Sequence, residues 1–446
     1  MKIPVIPHWP LIGNAWAISQ DILGFQQRNF RRYGNTFMFY LPFGQRVVLT
    51  CDKDVFKHIL QQQHKNYRKD YDSNKLKLAL GNGLLTNEGE SWFRQRRLAQ
   101  PAFYKKRLEG FFDTMNQLTL AHLQELSADS EATVQIDREM MQLTSKIVIE
   151  TLLGKDIGDE MSQLQQHITF IQEHLVNLIR RPFYRFSSKW NGKEQQFQQT
   201  MRDFDAILYA IIRQRKAAAP QNDLLSMLMD ARDADTGEGM SDRQLRDELL
   251  TIYVAGHETS GYALSWAIYN LCTHPASYQK AVAEVQAVMP DGQLTVENYK
   301  SLVYLKQVID ETLRLYPTAY LLSRESKAAE TACGLEIPEK TLFLLSTYFL
   351  HRHPDYWQEP DAFIPERFDG NTNVLFNSEA YYPFGGGPRM CIGFHFATME
   401  ITIVLAQLLY HFDISLTANG KPVVAEPLIT LKPKDGIHVR LTKKLT

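Results

Sequence analysis

Apolar and polar positions change their period along the chain. Near the N-terminus, Phe37-Met-Phe-Tyr-Leu41 and Arg46-Val-Val-Leu-Thr50 are short aromatic and β-branched runs on either side of Pro42-Phe43-Gly44-Gln45, which predicts two strands about a turn. Similar runs return at residues 341–347 and at Leu428-Ile-Thr-Leu431, the latter followed by a Lys-Pro-Lys-Asp-Gly turn and a further run at residues 437–441. Most of the chain between them has helical periodicity, so the expected class is mainly α with a small β-sheet lobe. The polar stretches at residues 217–223 and 231–239 are too short for domain linkers and no repeat is present, so residues 1–446 are expected to form a single large domain.

The most informative predicted helix starts at Ser241, which has capping-box spacing to Gln244, and runs to about Thr273, before Pro275. Such a helix is about 50 Å long, enough to cross a domain. Its middle, Tyr253-Val-Ala-Gly-His-Glu-Thr-Ser-Gly261, places two glycines where the helix should be most regular, and each costs about 1 kcal/mol against alanine. Two readings stand: close helix packing that requires small residues, or room for a flat ligand with Glu258 and Thr259 supplying proton-transfer groups beside it. His257 has no second ligand at i+4 and reads as a structural histidine.

The 446 residues would allow three domains at about 150 residues each, so length does not decide against one large core. Hydrophobic residues at 44% and charged residues at 22% are ordinary globular usage, which excludes disordered and fibrous classes. With 49 Lys+Arg against 50 Asp+Glu, the net charge of −1 gives no reason to expect nucleic acid as a partner. Cys51, Cys272, Cys333 and Cys391 stand far apart, without CxxC pairs or the density of a disulfide-stapled domain, which suits a reducing cytoplasm. Prolines at 4, 7 and 10 interrupt the N-terminus, and no window reaches the roughly 18 apolar residues of a membrane span. The expectation is a soluble cytoplasmic monomer.

Near the C-terminus stands Phe384-Gly-Gly-Gly-Pro-Arg-Met-Cys391-Ile-Gly393, followed by a helical run over residues 394–409. A cysteine just before a helix N-terminus has its thiolate stabilised by backbone N–H groups and the helix dipole, so Cys391 suits an axial iron ligand. The glycines let backbone pass close to a planar ring, and Arg389 is placed to pair with a carboxylate on its edge. At average residue usage this combination arises by chance in a chain of this length about once in a hundred thousand. Cys51, Cys272 and Cys333 read as buried small hydrophobes.

On these residues the sequence resembles the cytochrome P450 family of haem-thiolate monooxygenases across nearly its whole length. The Cys391 loop matches the family's haem-binding signature and Ala255-Gly256-His257-Glu258-Thr259 its oxygen-activation motif. Glu311-Thr-Leu-Arg314 matches its Glu-x-x-Arg pair, weak alone because about one match is expected by chance, but supported by the downstream Pro365-Glu-Arg367-Phe368. Trp92-x-x-x-Arg96 resembles the propionate-binding helix, and the segment from Ile6-Pro7 to Gly13-Asn14 the N-terminal proline hinge. The His-Glu-Thr wording and Arg314-Leu-Tyr-Pro317 resemble most the eukaryotic-like, fatty-acid-hydroxylating bacterial branch.

The resemblance implies the P450 fold, with a β-rich lobe from about 30–60, 318–350 and 425–445 and no fused reductase. It implies haem b held by Cys391, with Phe384 as a further cofactor-binding residue and Trp92, Arg96, Arg389 and Arg324 toward the propionates. Glu311, Arg314 and Arg367 are expected as a buried structural triad. Thr259 and Glu258 are the expected proton-delivery pair, with O2 as co-substrate and electrons from a separate ferredoxin or flavodoxin served by an NAD(P)H-dependent reductase. Arg94, Arg97, Lys105, Lys106 and Arg107 are the candidate docking face for that donor. The pocket is expected to be lined by Leu84, Leu85, His174, Leu178, Ala255, Ala319, Tyr320, Leu321, Leu428 and Ile429, with Arg180 and Arg181 at its mouth. That lining favours a fatty acid or similar amphipathic substrate. The runner-up is O-demethylation of a methyl ether, such as a methylated sugar or phenol, hydrogen-bonded by Tyr320 and His174. A peroxide-driven peroxygenase or a non-catalytic haem protein ranks lower, because the acid–alcohol pair is kept.

Overall fold

The structure is a computed structural model that describes residues 2–69, 72–126, 131–154, 158–180, 184–370, 378–417 and 422–444. Its strands are β1 (Thr36–Leu41), β2 (Gln45–Thr50), β3 (Tyr67–Arg68), β4 (Glu131–Gln135), β5 (Leu321–Ser326), β6 (Glu330–Ala332), β7 (Leu335–Ile337), β8 (Leu342–Ser346), β9 (Phe412–Leu416), β10 (Ala425–Pro427), β11 (Leu431–Pro433) and β12 (His438–Lys443). Helices occupy most of the remainder, which gives the mainly α class with small sheets. Chain packing separates two compact units. One comprises Met1–Asp70, Lys306–Cys391 and Val423–Lys434, the other Tyr71–Leu305, Ile392–Pro422 and Asp435–Thr446.

The first unit is built on a sheet of order β1-β2-β8-β5-β3. Phe37, Phe39, Val47, Leu49 and Leu342 pack on one face, and Met38, Val48, Phe343 and Leu345 on the other. Side chains alternate across a strand, so a sheet buried on both faces reads in sequence as the unbroken apolar runs at 37–41 and 342–345. The helix Val303–Leu315 contributes Glu311 and Arg314.

The second unit is helical. Its longest helix, Asp242–Thr273, begins where the capping box predicts, with Ser241 Oγ accepting the Gln244 N–H at 3.2 Å. It packs along the helix Ile136–Leu153, and here the two glycines find their reason. A Cβ on Gly256 would lie 3.2 Å from Val148, and one on Gly261 only 2.7 Å from Met141 Sδ. Thr144 Oγ1, on the same neighbour, donates to His257 O at 2.9 Å. Close helix packing therefore accounts for the glycines, and the room for a ligand must be sought at other positions of the helix.

One expected strand arrangement is corrected. Residues 428–430 are a tight bend, with the Leu428 N–H donating to Thr430 O at 3.0 Å, and β11 pairs back onto β10. β12 belongs to the second unit, between β4 and β9. Gly436, at φ +77°, lies so close to Gln135 that a Cβ would meet its Nε2 at 2.4 Å, which directs the chain toward β4. Apolar alternation identifies strands without naming their partners. Among the described residues no helix is long and apolar enough to cross a membrane.

Candidate active site

In the first unit the cysteine loop closes on itself. The Cys391 N–H donates to Phe384 O at 2.9 Å, Met390 N–H to Gly387 O at 3.0 Å and Gly385 N–H to Tyr382 O at 3.0 Å. Gly385 and Gly387 take left-handed backbone, φ +70° and +66°, and a Cβ on Gly387 would stand 1.7 Å from Leu60 O. The glycines thus serve the fold of the loop and its seat on residues 60–61, a reason the sequence did not reveal. Cys391 is exposed at the end of this loop, with Phe384 and Arg389 half-buried. The other cysteines differ. Burial pushes the Cys51 thiol far up and Cys272 to about 12, and Cys333, exposed on the turn between β6 and β7, is raised by partial desolvation and by nearby acids.

Behind the loop lies a buried ionic clamp. Arg314, at 0 % exposure, gives Nε to Glu311 Oε2 at 2.7 Å and Nη2 to Oε1 at 2.8 Å, while Arg367 Nε reaches Oε1 at 3.3 Å. The remaining Arg314 donors go to the carbonyls of His351, Pro360 and Ala362 at 2.6–2.9 Å, and the Ile364 N–H completes the Glu311 shell. His351 then links the clamp to the loop, with Nε2 accepting the Tyr382 N–H at 2.8 Å and Nδ1 facing Arg314 O at 3.2 Å. Burial and the Arg314 charge hold His351 neutral, its pKa down to about 3, which fits Nδ1 as donor and Nε2 as acceptor. Nothing in its sequence context marked His351. Arg324 Nη1 donates to Ser323 O at 2.7 Å.

In the second unit the long helix is buried along most of its length, with Tyr253 and His257 at 5 % exposure each, yet Ala255 is exposed and Thr259, one turn on, half-exposed. Thr259 Oγ1 donates to Ala255 O at 2.7 Å, so its proton is held within the helix and its lone pairs remain to accept. Glu258 is half-buried and accepts from Gln172 Nε2 at 3.2 Å, a partner from the helix Gly158–Arg180 that spacing gave no means of finding. His257 is structural as expected, stacked on Tyr253 with Nδ1 2.9 Å from Tyr253 O, and burial lowers its pKa.

Several expected roles meet different surroundings. The Trp92 indole, expected at a propionate, donates its N–H to Leu84 O at 3.1 Å, and Arg96 Nε donates to Gln100 Oε1 at 2.7 Å. His174 is not a pocket residue: at 3 % exposure it stacks on Phe197 at 4.3 Å with Tyr184 Oη 3.3 Å from Nδ1, and burial lowers its pKa against the pull of Glu194. Tyr320 is buried and its hydroxyl donates to Leu428 O at 2.9 Å, which joins two expected lining segments within the first unit. Ala319, Leu321 and Leu428 are half-buried there and Ile429 exposed, while in the second unit Leu84 and Leu178 are half-buried and Leu85 is 36 % exposed. Arg181 and the Arg180 side chain lie outside the described residues. The basic face shrinks as well. Arg94 pairs with Glu238, and Arg97 with Asp233 and Asp235, leaving Lys105, Lys106 and Arg107 as its exposed remainder.

The Cytochrome P450 family profile matches residues 3–440. The chain belongs to the cytochrome P450 family. It is 30% identical to cytochrome P450 97B2, chloroplastic, of Glycine max, over 91% of this chain and 81% of that protein. A cytokinin hydroxylase of Arabidopsis thaliana is 31% identical over 92% of this P450 and 81% of its own length. Cyclooctatin synthase of Streptomyces melanosporofaciens is 28% identical over 91% and 90%. A crystal structure of the cytochrome P450DA heme domain superposes with a TM-score of 0.89 at 23% identity, covering 100% of this chain and 98% of that one, which shows the fold. This P450 is therefore a haem b monooxygenase, an oxidoreductase that takes O2, an organic substrate and electrons from a redox partner. The residues present fit the cofactor: Cys391 is an exposed soft sulfur donor on a loop pinned by its own glycines, with a guanidinium at Arg389.

Proposed function

We propose that this P450 hydroxylates a medium-to-long amphipathic substrate, a fatty acid in the first place. The observation that carries the reading is the exposed, small and apolar face of the long helix at Ala255, one turn before Thr259, with Leu84 and Leu85 as further apolar lining. Cys391, Arg389, Arg324 and Arg96 are the residues assigned to the cofactor, which when bound supplies activation of O2 at thiolate-ligated iron, while Trp92, its N–H taken by Leu84 O, serves the segment that carries Leu84. Thr259 accepts a hydrogen bond from a water or polar group beside Ala255, since its own proton is committed to Ala255 O. Glu258, oriented by Gln172, exchanges protons with solvent and passes them toward Thr259. The methyl-ether reading rested on Tyr320 and His174 as hydrogen-bonding groups, and both are engaged inside the protein, which removes its support.

Electrons come, in this reading, from a ferredoxin or flavodoxin with an NAD(P)H-dependent reductase, docked on Lys105, Lys106 and Arg107. The protein works as a cytoplasmic monomer, in keeping with four cysteines that form no disulfide. The test is a titration of saturated fatty acids of graded length into the haem-loaded protein, following the spin state and then the products with a competent donor. A high-spin shift and hydroxy acids are expected. A full series giving neither overturns the fatty-acid reading.

A further inference from the structure

We infer that Asp247 and Glu248 are positioning residues for substrate: they latch residues 81–85 onto the long helix and so set the wall carrying Leu84 and Leu85. The inference rests on the reading above in one respect, that these two leucines line the pocket. The Asn82 N–H donates to Asp247 Oδ2 at 2.9 Å and the Leu84 N–H to Glu248 Oε2 at 3.0 Å, so alternate amides of the segment meet consecutive acids of the helix. The backbone itself lies against the helix. Gly81 is left-handed at φ +59° and its Cβ would meet Asp247 Oδ1 at 2.3 Å, while a Cβ on Gly83 would stand 2.1 Å from Thr251 Oγ1 and 2.7 Å from Asp247 O. The carbonyls of the same segment are tied to the helix Gly89–Ala99: Trp92 Nε1 donates to Leu84 O at 3.1 Å and Gln95 Nε2 to Asn82 O at 2.8 Å. Arg246 fixes the first acid, with Nη1 2.9 Å from Asp247 Oδ1 and also donating to Ala79 O at 2.9 Å.

Glu248 is the informative member. It is fully buried, and among the described residues no cation pairs with it and its Oε1 has no hydrogen-bond partner. A carboxyl in that position costs stability that leucine would not, so the bond to the Leu84 N–H is what the residue contributes. Burial pushes its pKa up to about 8, which keeps it protonated at neutral pH and makes glutamine its conservative replacement. Neither acid belongs to a motif of the sequence.

The test compares E248Q and E248L in the haem-loaded protein by hydrogen exchange of residues 81–87 and by titration with 4-phenylimidazole and with dodecanoate. E248L should raise exchange at residues 82–85 by about tenfold and weaken 4-phenylimidazole by about fivefold, while E248Q stays within about twofold on both readouts. The reduced carbon monoxide band should be unchanged in each. Wild-type exchange in E248L, raised exchange with unchanged 4-phenylimidazole affinity, or E248Q behaving like E248L would each overturn the inference. Should E248L not fold, G83A, which forces the segment off Thr251 with Glu248 intact, must reproduce both effects or the latch is rejected. A wild type that binds 4-phenylimidazole and ignores dodecanoate defeats the fatty-acid reading alone, and the latch is then decided on the azole.

Discussion

Glu311 and Glu248 are equally buried, each at 0 % exposure, and the two units treat them in opposite ways. Glu311 meets two guanidiniums and a backbone N–H, so its charge is balanced in place. Among the described residues Glu248 meets one backbone N–H and no cation, and Glu400, on the helix Phe394–His411, meets no cation either, with Ser260 alone easing its ionisation. Burial pushes both up to about 8. The difference teaches how a buried carboxyl can be used: ion-paired, it locks a scaffold behind the cysteine loop; unpaired and protonated, it acts as a neutral acceptor that positions backbone.

The comparison breaks first at the clamp. R314A strands Glu311 with Arg367 alone and should cost about 3–5 kcal/mol in denaturant unfolding, with haem incorporation lost alongside. E248Q removes no charge at pH 7 and should stay within about 1 kcal/mol under the same conditions. Equal losses in the two variants would erase the distinction between the units.

The pH dependence of stability sharpens it. Glu248 and Glu400 bind protons more tightly when folded than when unfolded, so stability falls as pH rises from the ordinary carboxylate range through about 8. The buried histidines, whose pKa values are lowered, lose influence above about pH 7.5, where they are neutral in both states. Between pH 7 and 8 each acid should therefore remove about 1 kcal/mol. Thermal melts of E248Q/E400Q should be flatter across that window, and a slope equal to wild type would contradict the protonated state.

Smaller effects separate chemistry from scaffold. T259A removes a hydroxyl that is not part of any core and should change stability by less than about 1 kcal/mol. It should divert electrons from product to peroxide, measured as NAD(P)H consumed against product formed, and unchanged coupling would remove Thr259 from proton delivery. The weakest effect concerns the donor. Electron transfer should slow as salt shortens the Debye length from about 10 Å at 0.1 M to about 3 Å at 1 M, and K106E with R107E should abolish that dependence. R97E should leave the salt slope intact, because Arg97 already serves Asp233 and Asp235.

Much of this was legible in the residues. The Ser241 cap, the strand runs of the first sheet and the Glu311–Arg314 pair depend on local spacing, which sequence displays directly, whereas Arg367 as their partner and the haem-binding role of the cysteine loop follow from the family resemblance. What spacing hides is the partner across space. The β12 strand was recognisable but its pairing was not, β11 lies at Leu431–Pro433 where the run at 428–431 and the following turn suggested otherwise, and the turn at Gly436 answers to Gln135 some 300 residues away. Gly256 carried two readings, decided only by Val148 on another helix, and the packing of Gly387 on Leu60 lies equally beyond its local sequence. His174 and Tyr320, polar residues in apolar surroundings, look the same in sequence whether they face a ligand or bond inward. Gln172, Glu248 and His351 belong to no motif, and their roles arise entirely from tertiary contact.

The central claim is that Cys391 supplies the thiolate to haem iron. The reduced carbon monoxide difference spectrum of the wild type and of C391A tests it most directly. The account predicts the red-shifted thiolate-type Soret band in the wild type and its complete absence in C391A, with C51A and C272A retaining it. A C391A protein that keeps that band would contradict the assignment.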